Sequence, residues 1–171
     1  MNLLITNTQE EQPYLILRAL RREVARIVVT VSEGNLFQRW WNTSAGSRFV
    51  SKRYTAPDCS ADNTPGEERY IRRIEEICDL ERIDLIFPSY DAEVFVFSKN
   101  KARLARRGVV AIVPDYAALT RILDKSLTLE AAQNVGFPIP ATRIPENLDE
   151  LRSAAAELGG PWVLKHRCNA H

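Results

Sequence analysis

The sequence predicts an α/β fold built on an open parallel sheet, and three observations carry that prediction. Five strand-like runs punctuate the first 115 residues, at 2–6 (NLLIT), 26–31 (RIVVTV), within 48–57 (RFVSKRYTAP), 83–87 (IDLIF) and 109–113 (VVAIV). Helical patterns separate them. Most of the runs are apolar from end to end instead of alternating, as strands covered on both faces are. With right-handed crossovers, residues 1–115 become a five-stranded, Rossmann-like open sheet.

Each element has its own local justification. After the first strand, EEQPYLILRALRREV opens with acidic residues and Pro13 and closes with arginines, which suits a helix and its dipole. Ile16, Leu17, Leu20 and Val24 make its apolar stripe. EGNLFQRWWN is read as a short helix whose Trp40-Trp41 pack at the sheet or anchor a partner chain. Cys59 to Gly66 is a polar loop. In 66–79, Tyr70, Ile71, Ile74 and Cys78 share one side of a helix. Another helix covers about 91–107.

After residue 115 the alternation stops. A helix over about 116–134 ends at Gly136 and the prolines of GFPIP, which force an extended passage. Asn147 or Asp149 caps a further helix to Leu158, and Gly159-Gly160 closes it. Residues 162–167 read as a buried strand. A lone strand beside two helices cannot satisfy its backbone groups. It either joins the first sheet or finds partners beyond residue 171, and the second is expected.

Composition narrows the classes. The apolar fraction is 45 % and charged residues make up 26 %, ordinary for a globular chain. A net charge of +1 gives no global field for nucleic acid or acidic lipid. Cys59, Cys78 and Cys168 are odd in number and lack C-x-x-C spacing, which suits a reducing compartment. No apolar run approaches the roughly 18–20 residues of a membrane span. The N-terminus turns acidic without a basic region, unlike a signal peptide. A cytoplasmic location is expected. His166, Cys168 and His171 are too few for a tetrahedral zinc site. Lys99, Lys101, Arg103, Arg106 and Arg107 make a basic helix, read as a solvated face because it lacks interleaved aromatics.

Ligands of open parallel sheets sit outside the carboxyl ends of the strands. The polar residues there are Thr6, Asn7, Ser32, Glu33, Ser89, Asp91 and Glu93, and the candidate substrate-binding set is Asn7, Ser89, Asp91 and Glu93. Asp91 and Glu93 either meet a substrate ammonium or cap the following helix. The turn Thr6-Asn7-Thr8-Gln9 has no G-x-G-x-x-G, which argues against a dinucleotide site. Two lysines stand out further along. Lys125 follows Asp124 at the head of a Leu-, Ala- and Glu-rich stretch. Lys165 interrupts an apolar run, where its ammonium must meet an anion or reach solvent. Together they suit a polyphosphate; singly, each also reads as structural.

These motifs, in this order, resemble the start of an ATP-grasp enzyme. Asp124-Lys125, Gly136-Phe137-Pro138-Ile139-Pro140-Ala141-Thr142 and Val163-Leu164-Lys165 match the family's "DK" helix, its G-(I/F)-P-x-P-x-T passage and its lysine-ended strand. Pro88, Ser89, Asp91 and Glu93 match a P-S-x-D-x-E passage of carbamoyl phosphate synthetase large-chain-like proteins. The resemblance implies a pre-ATP-grasp domain over 1–115 and the incomplete beginning of an ATP-grasp domain over 116–171. It puts Lys125 and Lys165 on ATP phosphates, with ATP and Mg²⁺ as cofactors. It also implies activation of a carboxylate as an acyl phosphate for attack by an amine or ammonia. His166 stands where the family usually has proline. The family's glycine-rich loop, adenine hinge and metal ligands lie further downstream, so these 171 residues alone are expected to lack the catalytic centre, and no catalytic residue is assigned. Expected partners are small-molecule carboxylate and amine or ammonia substrates, without membrane or nucleic acid; assembly with further copies of the chain is compatible with the pattern. The alternative is a stand-alone Rossmann-like binding or regulatory module, in which the last strand joins the first sheet.

Overall fold

A computed structural model describes residues 1–8, 11–34, 44–59 and 64–167. The chain divides into two compact units, Met1–Tyr116 and Ala117–His171.

The first unit is the expected sheet. Its strands are β1 (Asn2–Ile5), β2 (Arg26–Ser32), β3 (Lys52–Ala56), β4 (Leu85–Phe87) and β5 (Val110–Ala111). Their order is β3-β2-β1-β4-β5, and every neighbouring pair is parallel. Leu3 stands level with Ile27 on one side and Leu85 on the other. The chain builds outward from β1 to β3, then returns to add β4 and β5 on the opposite side. The order therefore reverses beside β1, where a crevice opens at the strand ends.

The pleat sends alternate side chains to two separate cores. Leu4, Val28, Ile86 and Ala111 face helices α2 (Thr64–Glu81), α3 (Asp91–Lys99) and α4 (Lys101–Ala105), and pack on Ile71, Ile74, Val96, Phe97 and Leu104. Leu3, Ile5, Ile27, Val29 and Val31 face the other way, onto Leu17 of α1 (Glu11–Leu20) and Ala45. Each fully buried Leu or Ile is worth about 1.5–3 kcal/mol, so both faces contribute. The expected helix in EGNLFQRWWN, with Trp40-Trp41, lies outside the described residues from residue 35 to residue 42.

Two helices expected to be continuous are broken. The stretch 91–107 divides at Asn100 (φ −101°, ψ 12°) into α3 and α4. The Asn100 side-chain amide donates to the Val96 carbonyl (2.9 Å) and to Glu67 (3.2 Å), competing with the helical ladder. The stretch 116–134 divides at Asp124 into α5 (Tyr116–Leu123) and α6 (Lys125–Asn134). Asp124 is extended (φ −89°, ψ 110°), and its carboxylate accepts from the amides of Ser126 and Leu127, capping α6.

The second unit also holds α7 (Leu148–Leu158). Asn147 caps it by accepting from Asp149 and Glu150, as expected. At the end of α6, the Phe137 amide donates to the Ala132 carbonyl and the Gly136 amide to Gln133 (both 2.9 Å), a Schellman closure. Its left-handed residue is Gly136, at φ 77°. Residues 162–167 depart from expectation: they form no strand, and Trp162, Val163 and Leu164 are exposed. Their end is tied where the Arg167 carbonyl accepts from the Lys125 amide, and among the described residues of this unit no strand stands beside the rest.

Candidate functional site

Four strands of the first unit end on one cavity of about 330 Å³. The residue beyond β1 is Asn7, β2 contributes Thr30 to Ser32, β3 continues into Ala56 to Cys59, and Tyr90 and Glu93 follow β4. Tyr70 of α2 completes the wall. The wall thus lies at the carboxyl ends of the strands, beside the reversal in strand order.

The chain after β1 is turned by Asn7, which adopts φ 46°. Asparagine tolerates this left-handed conformation better than most residues. The Asn7 amide donates to Thr30 Oγ1 (3.2 Å) and the Thr8 amide to the Thr30 carbonyl (3.1 Å), tying the turn to β2. The Asn7 side-chain oxygen is buried and meets no donor among the described residues.

Glu93 is the buried acid of the site, 1 % exposed. It accepts from Thr6 Oγ1 (2.7 Å), the Tyr70 hydroxyl (2.5 Å) and the Ser89 amide (3.2 Å). One carboxylate thereby joins β1, α2 and the loop before α3. It sits in the first turn of α3 and reaches back to backbone amides there, as a capping-box acid does. Burial pushes its pKa up, against the opposing pull of the Tyr70 and Thr6 hydroxyls. Burial and the neighbouring Glu93 likewise raise the Tyr70 phenol, and burial raises the Cys59 thiol. Across the cavity, the Ser32 hydroxyl donates to the exposed carboxylate of Asp58, and the Gly34 amide donates to Ser32 Oγ (3.1 Å).

The expected substrate set is thus dispersed. Asn7 and Glu93 line the cavity, whereas Ser89 and Asp91 are not among its lining residues. Ser89 supports Glu93 through its amide, and its hydroxyl is buried without a hydrogen-bond partner among the described residues. Asp91 is exposed in the first turn of α3. Sequence reasoning missed Asp58, Cys59 and Tyr70. Asp58 directly follows the third strand and its proline, so the strand-end rule was enough to find it. Tyr70 counts as apolar in a helical stripe, and nothing in the sequence gives its hydroxyl a partner.

The two lysines belong to the second unit. Lys125 is the first residue of α6, half-buried; Lys165 is exposed. The Lys125 amide donates to the Arg167 carbonyl (2.9 Å), and the Arg167 guanidinium pairs with Asp124 (2.9 Å). The two lysine-bearing segments are therefore joined at the start of α6. The Arg167 guanidinium, followed by the Ser126 hydroxyl, holds the Asp124 carboxyl well below the usual carboxylate range.

The basic helix is largely neutralised. Lys99 pairs with Glu67 (2.9 Å), Lys101 with Asp115 (2.7 Å), Arg103 with Glu68 (2.8 Å) and Glu75 (2.6 Å), and Arg107 with Glu75 (3.1 Å) and Asp79. A stripe so matched offers little to a phosphate backbone. Among the described residues no cluster of His, Cys, Asp or Glu could hold a metal ion, and no helix is long and apolar enough to cross a membrane. Cys168 and His171 lie outside the described residues.

No family model matches the sequence. A curated relative, the formate-dependent phosphoribosylglycinamide formyltransferase of Janthinobacterium sp. (strain Marseille), is 27 % identical over 93 residues, covering 54 % of this chain and 22 % of the relative. Among solved structures, the biotin carboxylase domain of Hydrogenobacter thermophilus 2-oxoglutarate carboxylase, a dimer with MgADP, ADP and bicarbonate, matches 94 % of this chain and 33 % of its own. Its TM-score is 0.65 at 18 % identity. The biotin carboxylase domain of a single-chain bacterial carboxylase matches 96 % of this chain and 36 % of its own (TM-score 0.63, 22 % identity). Campylobacter jejuni biotin carboxylase, solved with β,γ-ATP, matches 94 % and 34 % (TM-score 0.63, 19 % identity). The chain spans about a third of these carboxylase structures and about a fifth of the formyltransferase.

Proposed function

We propose, on the premise that this chain has the fold of the N-terminal portion of ATP-grasp enzymes, that it forms the substrate-side unit and the opening of the ATP-binding unit of a ligase. That ligase activates a carboxylate as an acyl phosphate and passes it to an amine or ammonia. Within the superfamily the P-S-x-D-x-E passage from Pro88 to Glu93 supports a likeness to carbamoyl phosphate synthetase large-chain-like proteins. A reducing, cytoplasmic setting and self-association belong to the same reading.

The observation that carries it is the junction at the start of α6, where the Lys125 amide meets the Arg167 carbonyl at 2.9 Å. It joins a lysine at a helix opening to a segment bearing a second, exposed lysine. Two ammonium groups there would neutralise the oxygens of a polyphosphate, and phosphoryl transfer asks mainly for positioning and charge neutralisation. Magnesium, bound with ATP, would supply further neutralisation; among the described residues no cluster of His, Cys, Asp or Glu could hold it.

The test is made in the complete enzyme. Lys125→Met and Lys165→Met keep the stem and delete the charge, so folding should survive while kcat/KM for ATP falls about 10²–10³-fold each. ATP kinetics within a factor of about three of wild type in both variants would overturn the phosphate role. The 171 residues by themselves are expected to turn over no ATP, and turnover abolished by Lys165→Ala would contradict that. Among the described residues the sheet holds β1 to β5, so the alternative of a stand-alone module draws no support from a sixth strand there.

A further inference from the structure

We infer that Arg167 serves polyphosphate binding through Asp124: its guanidinium cancels the carboxylate at the head of α6 and so leaves the charge of Lys125 and Lys165 to the phosphates. This role of Arg167 rests on the phosphate reading of the two lysines. Asp124 stands directly before Lys125 and caps α6, its Oδ1 accepting from the Ser126 amide (2.8 Å) and the Leu127 amide (3.4 Å). The cap helps the helix, but its charge has the wrong sign for the proposed ligand. A carboxylate there offsets the positive end of the helix dipole and opposes the field of the lysine beside it.

Arg167 answers that charge from 43 residues away in the sequence. Its Nε lies 3.0 Å and 3.2 Å from the two Asp124 oxygens, and Nη2 lies 2.9 Å from Oδ2. A planar fork of this kind is how arginine meets a carboxylate best. The Asp124 side chain is 14 % exposed and that of Arg167 59 %, so the arginine is the outer partner of the pair. The Lys125 amide, bonded to the Arg167 carbonyl at 2.9 Å, keeps the segment seated on the helix start. Among these four side chains, three cations (Lys125, Lys165 and Arg167) stand against one anion (Asp124), a surplus of two positive charges; without Arg167 the surplus is one. An uncharged cap would make the arginine unnecessary, and asparagine caps a helix about as well as aspartate.

The experiment titrates inorganic tripolyphosphate into the complete enzyme by calorimetry, at one fixed, low ionic strength. Arg167→Met should weaken binding about tenfold, and Arg167→Lys, which keeps the charge, by less than about threefold. Adding Asp124→Asn to Arg167→Met should bring the affinity back to within about threefold of wild type, because the acid that needed masking is gone. Asp124→Asn alone should bind at least as tightly as wild type. A double variant as weak as Arg167→Met would overturn the inference, since Arg167 would then touch the phosphates itself or only hold the segment in place. Unchanged binding in Arg167→Met would also end it. Lys125→Met and Lys165→Met are titrated beside these variants. If the lysine variants lose affinity while those of Arg167 and Asp124 depart from this pattern, the role of Arg167 fails and the phosphate reading stands. If neither lysine variant loses affinity, the phosphate reading fails and takes the role of Arg167 with it.

Discussion

Burying the Glu93 carboxylate withdraws it from water, and the Thr6 and Tyr70 hydroxyls with the Ser89 amide replace that hydration only in part. Its folded pKa is raised, so the native state holds a proton more tightly than the unfolded chain. Stability from this group is therefore highest below the unfolded carboxylate value and declines as pH rises through the folded one. Glu93→Gln should flatten that decline in urea titrations run between about pH 4 and 8; an unchanged slope would assign it to other groups. Glu93→Ala should cost about 2–4 kcal/mol in the same assay, since it orphans several buried donors at once. At this scale the sequence was half legible. Glu93 was singled out from its place after a strand, with capping and ligand binding both open, and the capping contacts exist. Its bond to Tyr70 spans 23 residues and two helices, so no local pattern could announce it.

Helices α2 and α4 are laced by Arg103, which reaches Glu68 and the nearly buried Glu75. That guanidinium holds the Glu68 carboxyl down at about 2 and lowers Glu75 as well. Depressed carboxylates stabilise the fold above their unfolded values, and the gain is lost as pH falls through the folded ones. Arg103→Met should thus cost about 1–3 kcal/mol at neutral pH and flatten the loss of stability between about pH 4.5 and 2. Equilibrium unfolding across that range checks it. Asp124 offers a second element-scale test. Asp124→Ala removes the cap of α6 and should lower protection of the Ser126 and Leu127 amides to hydrogen exchange by about 1 kcal/mol, while Asp124→Asn keeps the cap and loses the Arg167 pair. Elements were legible wherever apolar period or a cap fixed them: four expected strands, α1, α2 and α7 stand nearly where the pattern put them, and the polar third strand was legible too. The break at Asn100 was not, because a single polar side chain turned back on the backbone barely alters the periodicity; at Asp124 the periodicity also ran on, but Lys125 was already placed at a helix opening, where it stands. Residues 162–167 form no strand here for a different reason: apolarity marks a segment that wants burial, but a strand also needs a neighbour, and the expected partners were placed beyond residue 171.

At the scale of the molecule, an all-parallel sheet with its reversal beside β1 was legible because strand and helix patterns alternate and the crossover hand is fixed. The cavity's position followed from the same rule. The acids on its wall were legible by that rule as well, Glu93 after the fourth strand and Asp58 after the third, whereas Tyr70 comes from a helix that no strand-end rule reaches.

The pairing of β1 sets a timetable as well as a topology. Leu3 lies level with Ile27, but also with Leu85. During synthesis the first strand can therefore gain one neighbour early, and must hold its other edge open until some eighty residues more have been added. At ribosomal speeds that is a wait of roughly 4–16 s. Throughout it, the unpaired edge of Leu3 to Ile5, among the most apolar in the chain, is open to any other strand nearby. A chain interrupted before residue 85 should aggregate from that edge, whereas one released after Ala111 should fold in milliseconds to seconds, slowed by its long-range pairings.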